Sequence, residues 1–422
     1  MREEEWKTLE KFFNIGAVGT GNIFTQAHVP AYVDLRDKVR LTALFNPTKA
    51  TAERAREFYL QKMDEAKAQV TWDVAVCDTP EELFAKVDVV DNCAPSRWHA
   101  FYSILALEAG VHVMSEKPMA RNGLEADAVV RAAARSKAIY QLNDDNVFLP
   151  RYQHFKNALG SGVIGDPINV WITRGTASSA RSEWFFEPLA GGGAILDYGS
   201  HAVAGSWFLI GLDKEPAEVK SVRICVKDRT RLVGGRLCNI EIDDDAHFKA
   251  LYRNPRNGDW TSIFMEATWS WPDLAENASD VHGWFLIEGS EGRITGYFDE
   301  EDREYIVVRR NGFGERRIPI QSYRSETLSF RDEIQSFLRS IELRRPSILD
   351  AATCAATIRV INAAQLSELE GRKSVGMDEL DRFLRGFDAS GESEKSIETL
   401  MDVGDRIALK LTEPYRLVGG RA

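Results

Sequence analysis

The sequence predicts an α/β protein with two domains and a helical tail. Three observations carry this. Strand-like and helix-like runs alternate from Phe12 to Leu142, the first strand ends in the glycine turn Gly19-Thr20-Gly21, and the second half holds further strand-like runs between Val170 and Ile287. Alternation of this kind implies a parallel sheet with crossover helices. The 422 residues are 44% hydrophobic and 28% charged. That is ordinary globular composition, which excludes a disordered or collagen-like chain, and the length implies two or three domains. A net charge of −11 excludes the simple picture of a basic protein tracking nucleic-acid phosphates. It does not exclude one anionic cofactor held by backbone amides.

The elements run in order as follows. Phe12–Val18 is an apolar run of β-formers, and Val39–Phe45 is a second strand. A charged helix spans about Ala50 to Gln69, and Val87–Ala94 is a third strand. His99–Ala109 has helical spacing and stops at Gly110, a good C-terminal cap. Val111–Ser115 is a strand, Leu124–Ser136 a helix and Ala138–Leu142 the closing strand. The acidic start precedes no apolar run, so no secretory signal is expected. No stretch approaches the ~18–20 apolar residues of a membrane helix. Cys77, Cys93, Cys225, Cys238 and Cys354 form no C-x-x-C pair, so no metal site is expected. Cys77, Cys93 and Cys225 sit in apolar runs and read as buried small hydrophobes. A reducing cytoplasm is the expected compartment.

The glycine turn has a physical reason. A strand that reverses into a helix beside a pyrophosphate needs close backbone approach, and the helix N-terminus offers N–H groups to phosphate. Gly16, Gly19 and Gly21 are present, but Phe24 replaces the third glycine of G-x-G-x-x-G. Gly19, Thr20, Gly21, Asn22 and Ile23 are the candidate contacts of a dinucleotide. An acidic residue after the second strand accepts from a ribose 2′-hydroxyl and repels a 2′-phosphate. Asn46 stands there; it can bond a ribose without repelling phosphate, and Lys49 can pair with one. Both NAD and NADP stay open, with a slight preference for NAD.

Three further patches set the class. They are Asp91-Asn92-Cys93-Ala94-Pro95-Ser96-Arg97-Trp98-His99, then Glu116-Lys117-Pro118, and then Gly191-Gly192-Gly193-Ala194-Ile195-Leu196-Asp197-Tyr198-Gly199-Ser200-His201. With the glycine turn, and in this order, they resemble the glucose–fructose oxidoreductase / inositol dehydrogenase / MocA (Gfo/Idh/MocA) family of sugar and polyol oxidoreductases. The resemblance runs from about Phe13 to Asp381. It implies an N-terminal Rossmann dinucleotide-binding domain (1–142). A C-terminal α/β domain with a large, mostly antiparallel open sheet (143–387) binds substrate and oligomerises. Residues 388–422 form a helical extension beyond the family core.

The resemblance also implies roles. Lys117 matches the family lysine aimed at the reacting oxygen, where a cationic donor stabilises developing charge. The family often holds this Lys-Pro bond cis, so Lys117–Pro118 is expected to be cis. His201 matches the proton-transferring histidine, an imidazole being suited to that task near neutral pH. Asp197, four residues earlier, shares its helix face and either bonds substrate or orients the imidazole. His99 is expected to be structural or near the nicotinamide. Ala94, Pro95 and Glu116 are expected to border the cofactor.

The second half departs from the family in one place. Val147 stands where an arginine is often expected before Phe148, which loosens any transfer of sugar specificity. Asp144 and Asp145 are either substrate-hydroxyl acceptors or a plain polar loop. Seven of ten tryptophans lie here, at 171, 184, 207, 260, 269, 271 and 284. Sugar stacking and a subunit interface are the two readings, the interface being favoured for most. Trp184 is the exception, for it closely precedes the glycine triplet; Arg181 shares its loop. Strands are expected at Val170–Thr173, Val219–Val226, Phe248–Tyr252, Ile263–Trp269 and Trp284–Ile287. Helices are expected at Phe330–Leu343, Thr353–Leu369 and, after a polar linker from Asp388, Ser396–Leu411.

The leading expectation is an NAD(P)-dependent dehydrogenase or reductase of a sugar, inositol or related polyol. It is a homodimer or homotetramer through the C-terminal sheet, with no metal, nucleic acid or membrane partner. The alternatives on the same fold are a glycoside-cleaving enzyme that oxidises transiently on retained NAD, and a non-catalytic dinucleotide-binding sensor.

Overall fold

A computed structural model describes residues 9–176, 182–233, 236–271, 284–298, 304–320 and 327–415. The chain divides into two compact units. One comprises Met1–Ala120, Glu125–Phe148 and Tyr323–Ala355, the other Arg121–Leu124, Leu149–Ser322 and Ala356–Ala422. The described α-helices are α1 (Val29–Asp34), α2 (Lys49–Glu65), α3 (Pro80–Phe84), α4 (His99–Glu108), α5 (Gly123–Arg135), α6 (Pro150–Gly160), α7 (Gly193–Ile210), α8 (Thr327–Glu342), α9 (Ala351–Leu369), α10 (Met377–Phe387) and α11 (Ile397–Thr412).

The first unit is built on six parallel strands: β1 (Phe13–Val18), β2 (Val39–Phe45), β3 (Ala75–Val76), β4 (Val89–Asn92), β5 (His112–Glu116) and β6 (Tyr140–Asn143). Their order is β3-β2-β1-β4-β5-β6. The order reverses between β1 and β4, so the loops leaving these two strands flank the crevice where such sheets bind ligands. Val39–Phe45 coincides with the expected strand. Strand β3 and helix α3 were not expected, since two to five residues carry no period. The core includes Ile15, Leu41 and Val89 of the strands, Phe24 of the turn after β1, and Val29 and Tyr32 of α1. Ile334, Phe337 and Leu338 of α8, far along the chain, complete that core.

The second unit holds a nine-stranded sheet. Its strands are β7 (Pro167–Gly175), β8 (Glu215–Cys225), β11 (Asp245–Arg253), β12 (Trp260–Thr268), β13 (Trp284–Gly289), β14 (Gly292–Phe298), β15 (Glu304–Arg310), β16 (Gly314–Pro319) and β17 (Val375–Gly376). The order is β16-β15-β14-β13-β7-β12-β11-β8-β17. Among the described strands every pairing is antiparallel except β7 with β12. A separate hairpin joins β9 (Thr230–Val233) and β10 (Arg236–Asn239). The five expected strands are all present and longer overall, though β8 and β12 each stop one residue before the expected end. Strands β15 and β16 escaped notice because Arg309, Arg310, Arg316 and Arg317 break any apolar alternation.

Helix α7 is buried along its whole length. That is why its sequence is apolar or small on every side instead of amphipathic. No described helix is long and apolar enough to cross a membrane.

Candidate active site

In the first unit the site is the mouth of β1, β4 and β5. Gly19 has φ of +81°, and a Cβ there would lie 2.4 Å from the Ala94 backbone. Only glycine satisfies both the left-handed backbone and that contact. Thr20 is buried; its N–H donates to Asn46 Oδ1 at 3.3 Å, while its Oγ1 is a buried hydroxyl without a partner. A side chain at Gly21 would meet no protein atom within 4 Å, and Asn22 and Ile23 are exposed. An orphaned hydroxyl, a glycine rim and a helix start at a strand-order reversal fit a dinucleotide pyrophosphate. Phe24, in place of the third glycine, is fully buried, in a π-helical turn over Phe24–His28.

The end of β2 is already committed in part. Asn46 Nδ2 donates to the Thr48 carbonyl at 3.2 Å. Lys49 Nζ lies 2.5 Å from Asp78 Oδ1, both side chains being largely exposed. Lys49 is thus exposed but already opposed by a carboxylate.

Strand β5 ends at Glu116, and Lys117–Pro118 is cis as expected. The Lys117 N–H donates to Glu116 Oε2 at 3.2 Å. His99 staples two turns together, its ring nitrogens lying 2.6 Å from the Pro118 and Ala94 carbonyls. Burial lowers the His99 pKa below 6.5, against the opposing pull of those carbonyls. Pro95 caps the short 3₁₀ turn Ser96–Trp98 before α4.

His28 was missed. It is wholly buried, with Nδ1 2.9 Å from Asp91 Oδ2 and Nε2 3.0 Å from Glu116 Oε1. The Tyr32 hydroxyl donates to the same Asp91 oxygen. Burial opposes charge on His28, but contact with Asp91 holds its pKa well above 6.5. The ring is therefore an imidazolium donating to two carboxylates, one belonging to the residue before Lys117. Cys93 completes a group with metal-ligand chemistry. In this structure both ring nitrogens lie within hydrogen-bond reach of carboxylates. Glu333 of α8 is also wholly buried, and neither of its carboxyl oxygens has a partner. Burial first, then Glu116 and Asp145, push its pKa well above 4.5, which favours its protonated form. The only sequence signal for His28 was a titratable residue one helix turn or two beyond the glycine turn.

Asp144 and Asp145 are not a solvated loop. Asp144 is buried and its Oδ1 accepts from the Asn146 N–H at 3.3 Å. Asp145 accepts from Ser329 Oγ at 3.0 Å.

In the second unit α7 carries Asp197 and His201, both buried, on one face. Asp197 Oδ2 accepts from Trp269 Nε1 at 2.9 Å, and the His201 and Tyr198 rings lie 6.4 Å apart. The glycine triplet answers to the chain around it. A Cβ on Gly191 would lie 2.2 Å from the Phe185 carbonyl oxygen. Gly193 has φ of +83°, and a Cβ there would lie 2.0 Å from Asp243 Oδ1. Asp243 caps the helix from outside. Its carbonyl accepts from the Ala194 N–H at 3.0 Å and its Oδ2 from the Ile195 N–H at 2.8 Å. Burial raises the Asp243 pKa well above 3.8, and the helix dipole favours whatever negative charge it carries.

The tryptophan expectation needs correction. Trp207 and Trp269 are interior, so neither stacks on a sugar nor faces a second subunit. Trp207 Nε1 donates to the Lys214 carbonyl at 2.9 Å, and Trp269 holds Asp197. Trp184 is half-buried and stacks on Phe185, with centroids 3.8 Å apart. Arg181 lies outside the described residues. Cys77 and Cys93 are buried as expected, whereas Cys225, at the end of β8, is half-buried.

Known proteins match this arrangement. Residues 13–144 match the model of the oxidoreductase family with an NAD-binding Rossmann fold, and residues 152–295 the GFO/IDH/MocA C-terminal domain. D-glucoside 3-dehydrogenase of Escherichia coli is 27% identical over 213 residues, 49% of this chain and 56% of that protein. Levoglucosan dehydrogenase of Pseudarthrobacter phenanthrenivorans is 28% identical over 327 residues, 70% of this chain and 75% of that protein. The chain thus spans little more than half of the first relative and three quarters of the second. Among solved structures, levoglucosan dehydrogenase with NADH and levoglucosan superposes with a TM-score of 0.71 at 19% identity, over 87% of this chain and 100% of that one. A 3-ketoreductase from Actinomadura kijaniata with NADP and TDP-benzene superposes with a TM-score of 0.62 at 16% identity, over 84% and 98%. At these identities the superpositions establish the fold. The two family models cover most of the chain in order, and this protein belongs to the Gfo/Idh/MocA oxidoreductase family, with its NAD-binding Rossmann fold in residues 13–144.

Proposed function

We propose that this protein is an NAD(P)-dependent dehydrogenase or reductase acting on a carbinol carbon of a sugar, inositol or related polyol. One observation carries the reading. Asp197, fixed by Trp269, and His201 share a buried helix face in a chain that also presents the E-K-P lysine beside a dinucleotide turn. In the oxidation direction Lys117 donates to the substrate oxygen and stabilises its developing negative charge. His201 accepts the hydroxyl proton at an imidazole nitrogen. Asp197 bonds the substrate or orients His201, and Asp145, Arg181 and Trp184 are the further substrate contacts in this reading. When bound, the nicotinamide supplies the hydride acceptor.

Gly19, Thr20, Gly21, Asn22 and Ile23 hold the pyrophosphate in this proposal, and Asn46 the ribose. Ala94, Pro95, His99 and Glu116 border the nicotinamide. The Lys49–Asp78 pair supports NAD over NADP, because Asp78 opposes a 2′-phosphate at that point. The domain division is 1–142 for cofactor, 143–387 for substrate and association, and 388–422 as a helical extension.

Association as a homodimer or homotetramer through the large sheet is part of the same reading. Trp171 and Phe264 stack at 5.2 Å on adjacent strands, with Lys249 over Phe264, and all three are partly exposed. Sedimentation of the purified protein checks it. Five free cysteines accord with a reducing cytoplasm.

Levoglucosan, myo-inositol and methyl β-D-glucoside, each with NAD and with NADP, form the test panel, read at the nicotinamide absorbance. At least one pair is expected to turn over. Lys117→Ala and His201→Ala are each expected to lower kcat about 10²- to 10⁴-fold, the usual worth of a positioned proton-transfer group or an oxyanion donor. An unchanged rate in His201→Ala sinks the reading. Stoichiometric NAD surviving purification without net reduction favours the glycoside-cleaving alternative.

A further inference from the structure

Helix α11 lies beyond the residues that the family's C-terminal domain model covers. Ser396 opens it with a reciprocal capping box to Thr399, a strong start signal. Leu400, Met401, Val403, Ile407 and Leu411 bury its inner face. A helix needed only to cover apolar surface would end its account there.

At its middle, however, α11 reaches a polar segment. Asp405 Oδ1 accepts from Arg121 Nη1 at 2.5 Å, and the Gly404 carbonyl accepts from Asn122 Nδ2 at 3.3 Å. The Arg121 side chain is 2% exposed and that of Asp405 20%. Arg121 Nη1 also donates to the Leu189 carbonyl at 3.2 Å. From the other side α9 holds the same segment. Asn362 Oδ1 accepts from the Gly123 N–H at 2.8 Å, and its Nδ2 donates to the Arg121 carbonyl at 3.3 Å. Gly123 is closed in by the side chains of Leu384 and Arg359, so the segment has no room to slide.

The places of these residues along the chain give the contact its meaning. Arg121 follows Lys117 by four residues, in Glu116-Lys117-Pro118-Met119-Ala120-Arg121-Asn122. Leu189 precedes the glycine triplet by two, and that triplet leads into Asp197 and His201. One guanidinium, carried by the segment after the E-K-P motif, is therefore bonded to the C-terminal helix and to the loop before the Asp/His helix. Removing the Asp405 charge takes a charge-assisted partner from a nearly buried guanidinium, and such contacts hold geometry more tightly than neutral ones.

We propose that Asp405 is a positioning residue for the reaction. Through Arg121 it sets the position of the Arg121–Gly123 segment and of the loop that precedes Gly191, so the C-terminal helix is part of the scaffold behind the Asp197–His201 helix. The proposal rests on the dehydrogenase reading for its effect on rate, but its structural half can be read without any substrate.

The experiment compares the full-length protein with Asp405→Asn, which keeps the shape and removes the charge, and with Asp405→Glu, which restores the charge. Hydrogen–deuterium exchange is followed on peptides covering 117–123, 186–193 and 397–412. NADH affinity is measured by fluorescence titration, and kcat and KM with the members of the sugar and polyol panel that turn over. Asp405→Asn is expected to raise exchange in both 117–123 and 186–193. It is expected to lower kcat by up to about 10²-fold, the cost of ångström-scale misplacement of catalytic groups, with NADH affinity within about twofold. Asp405→Glu is expected to recover most of the rate. Exchange rising only in 397–412, or a kcat that does not change while both loops loosen, overturns the proposal. A wild type that turns over no panel member, with exchange rising in both loops of Asp405→Asn, fails the dehydrogenase reading while upholding the clamp.

Discussion

The two candidate centres are supported by different physics. In the first unit the Lys117 turn is backed by buried charge. His28 sits between Asp91 and Glu116, and the buried Glu333 carboxyl feels their charges. In the second unit the Asp197–His201 helix is backed by shape and backbone. Asp243 caps it, Gly191 and Gly193 admit close neighbours, and an indole N–H fixes Asp197. Buried charges are costly to orphan and respond to pH. Glycine contacts are indifferent to pH and fail by collision. The first centre should therefore be sensitive to titration and the second to volume.

The largest effect expected within this contrast is that of His28→Ala. It leaves the Asp91 and Glu116 carboxylates buried without their shared cation, which costs about 3–5 kcal/mol when one partner of a buried pair is removed. Urea unfolding at neutral pH measures it; a loss within the error of the wild type contradicts the charge network. The same network sets a pH dependence. The folded-state pKa of His28 is raised, so its stabilisation is fully present below the unfolded value near 6.5 and is lost as pH rises through the folded value. The His28→Ala deficit should shrink toward alkaline pH.

Next in size is Gly193→Ala. A left-handed backbone and the collision with Asp243 Oδ1 together cost roughly 1–3 kcal/mol, without the loss toward alkaline pH expected of the His28→Ala deficit. A deficit that varies with pH as the His28→Ala deficit does would erase the contrast between the centres.

Glu333→Gln should have the opposite sign. The raised folded-state pKa means that wild-type stability falls as pH rises above about 4.5, the ordinary glutamate value. The amide removes that penalty, so the variant should match the wild type at acid pH and exceed it at pH 8 in thermal midpoint. Equal midpoints at both pH values argue that Glu333 is ionised in the fold.

The smallest effect is expected at the rim. Lys49 and Asp78 are exposed, and exposed pairs contribute little. Lys49→Ala should leave the thermal midpoint unchanged and move the NAD-to-NADP ratio of kcat/KM less than tenfold. A larger shift assigns Lys49 a direct part in cofactor choice.

These differences follow what was legible in the chain. The parallel sheet of the first unit was, because Val39–Phe45 and its neighbours are mostly apolar runs that alternate with helical ones. Strands β15 and β16 were not, since an arginine-rich edge carries no alternation. The helix bearing Asp197 and His201 was visible from their spacing. Its supports were not, because Asp243 and Trp269 lie tens of residues downstream and meet it only across the fold.

By itself the sequence determined the alternating first unit, the glycine turn, the E-K-P and Asp/His motifs and the family they mark. All of these are local patterns, written in spacing along one strand, turn or helix. Only the tertiary structure decided which cations are already paired, as Lys49 is with Asp78, and which histidine is charged, as His28 is between two carboxylates. It also decided why the triplet must be glycine, and brought Asp405 of the tail to Arg121. Each of these depends on atoms brought within a few ångströms from distant parts of the chain, where burial and partner together set charge and position.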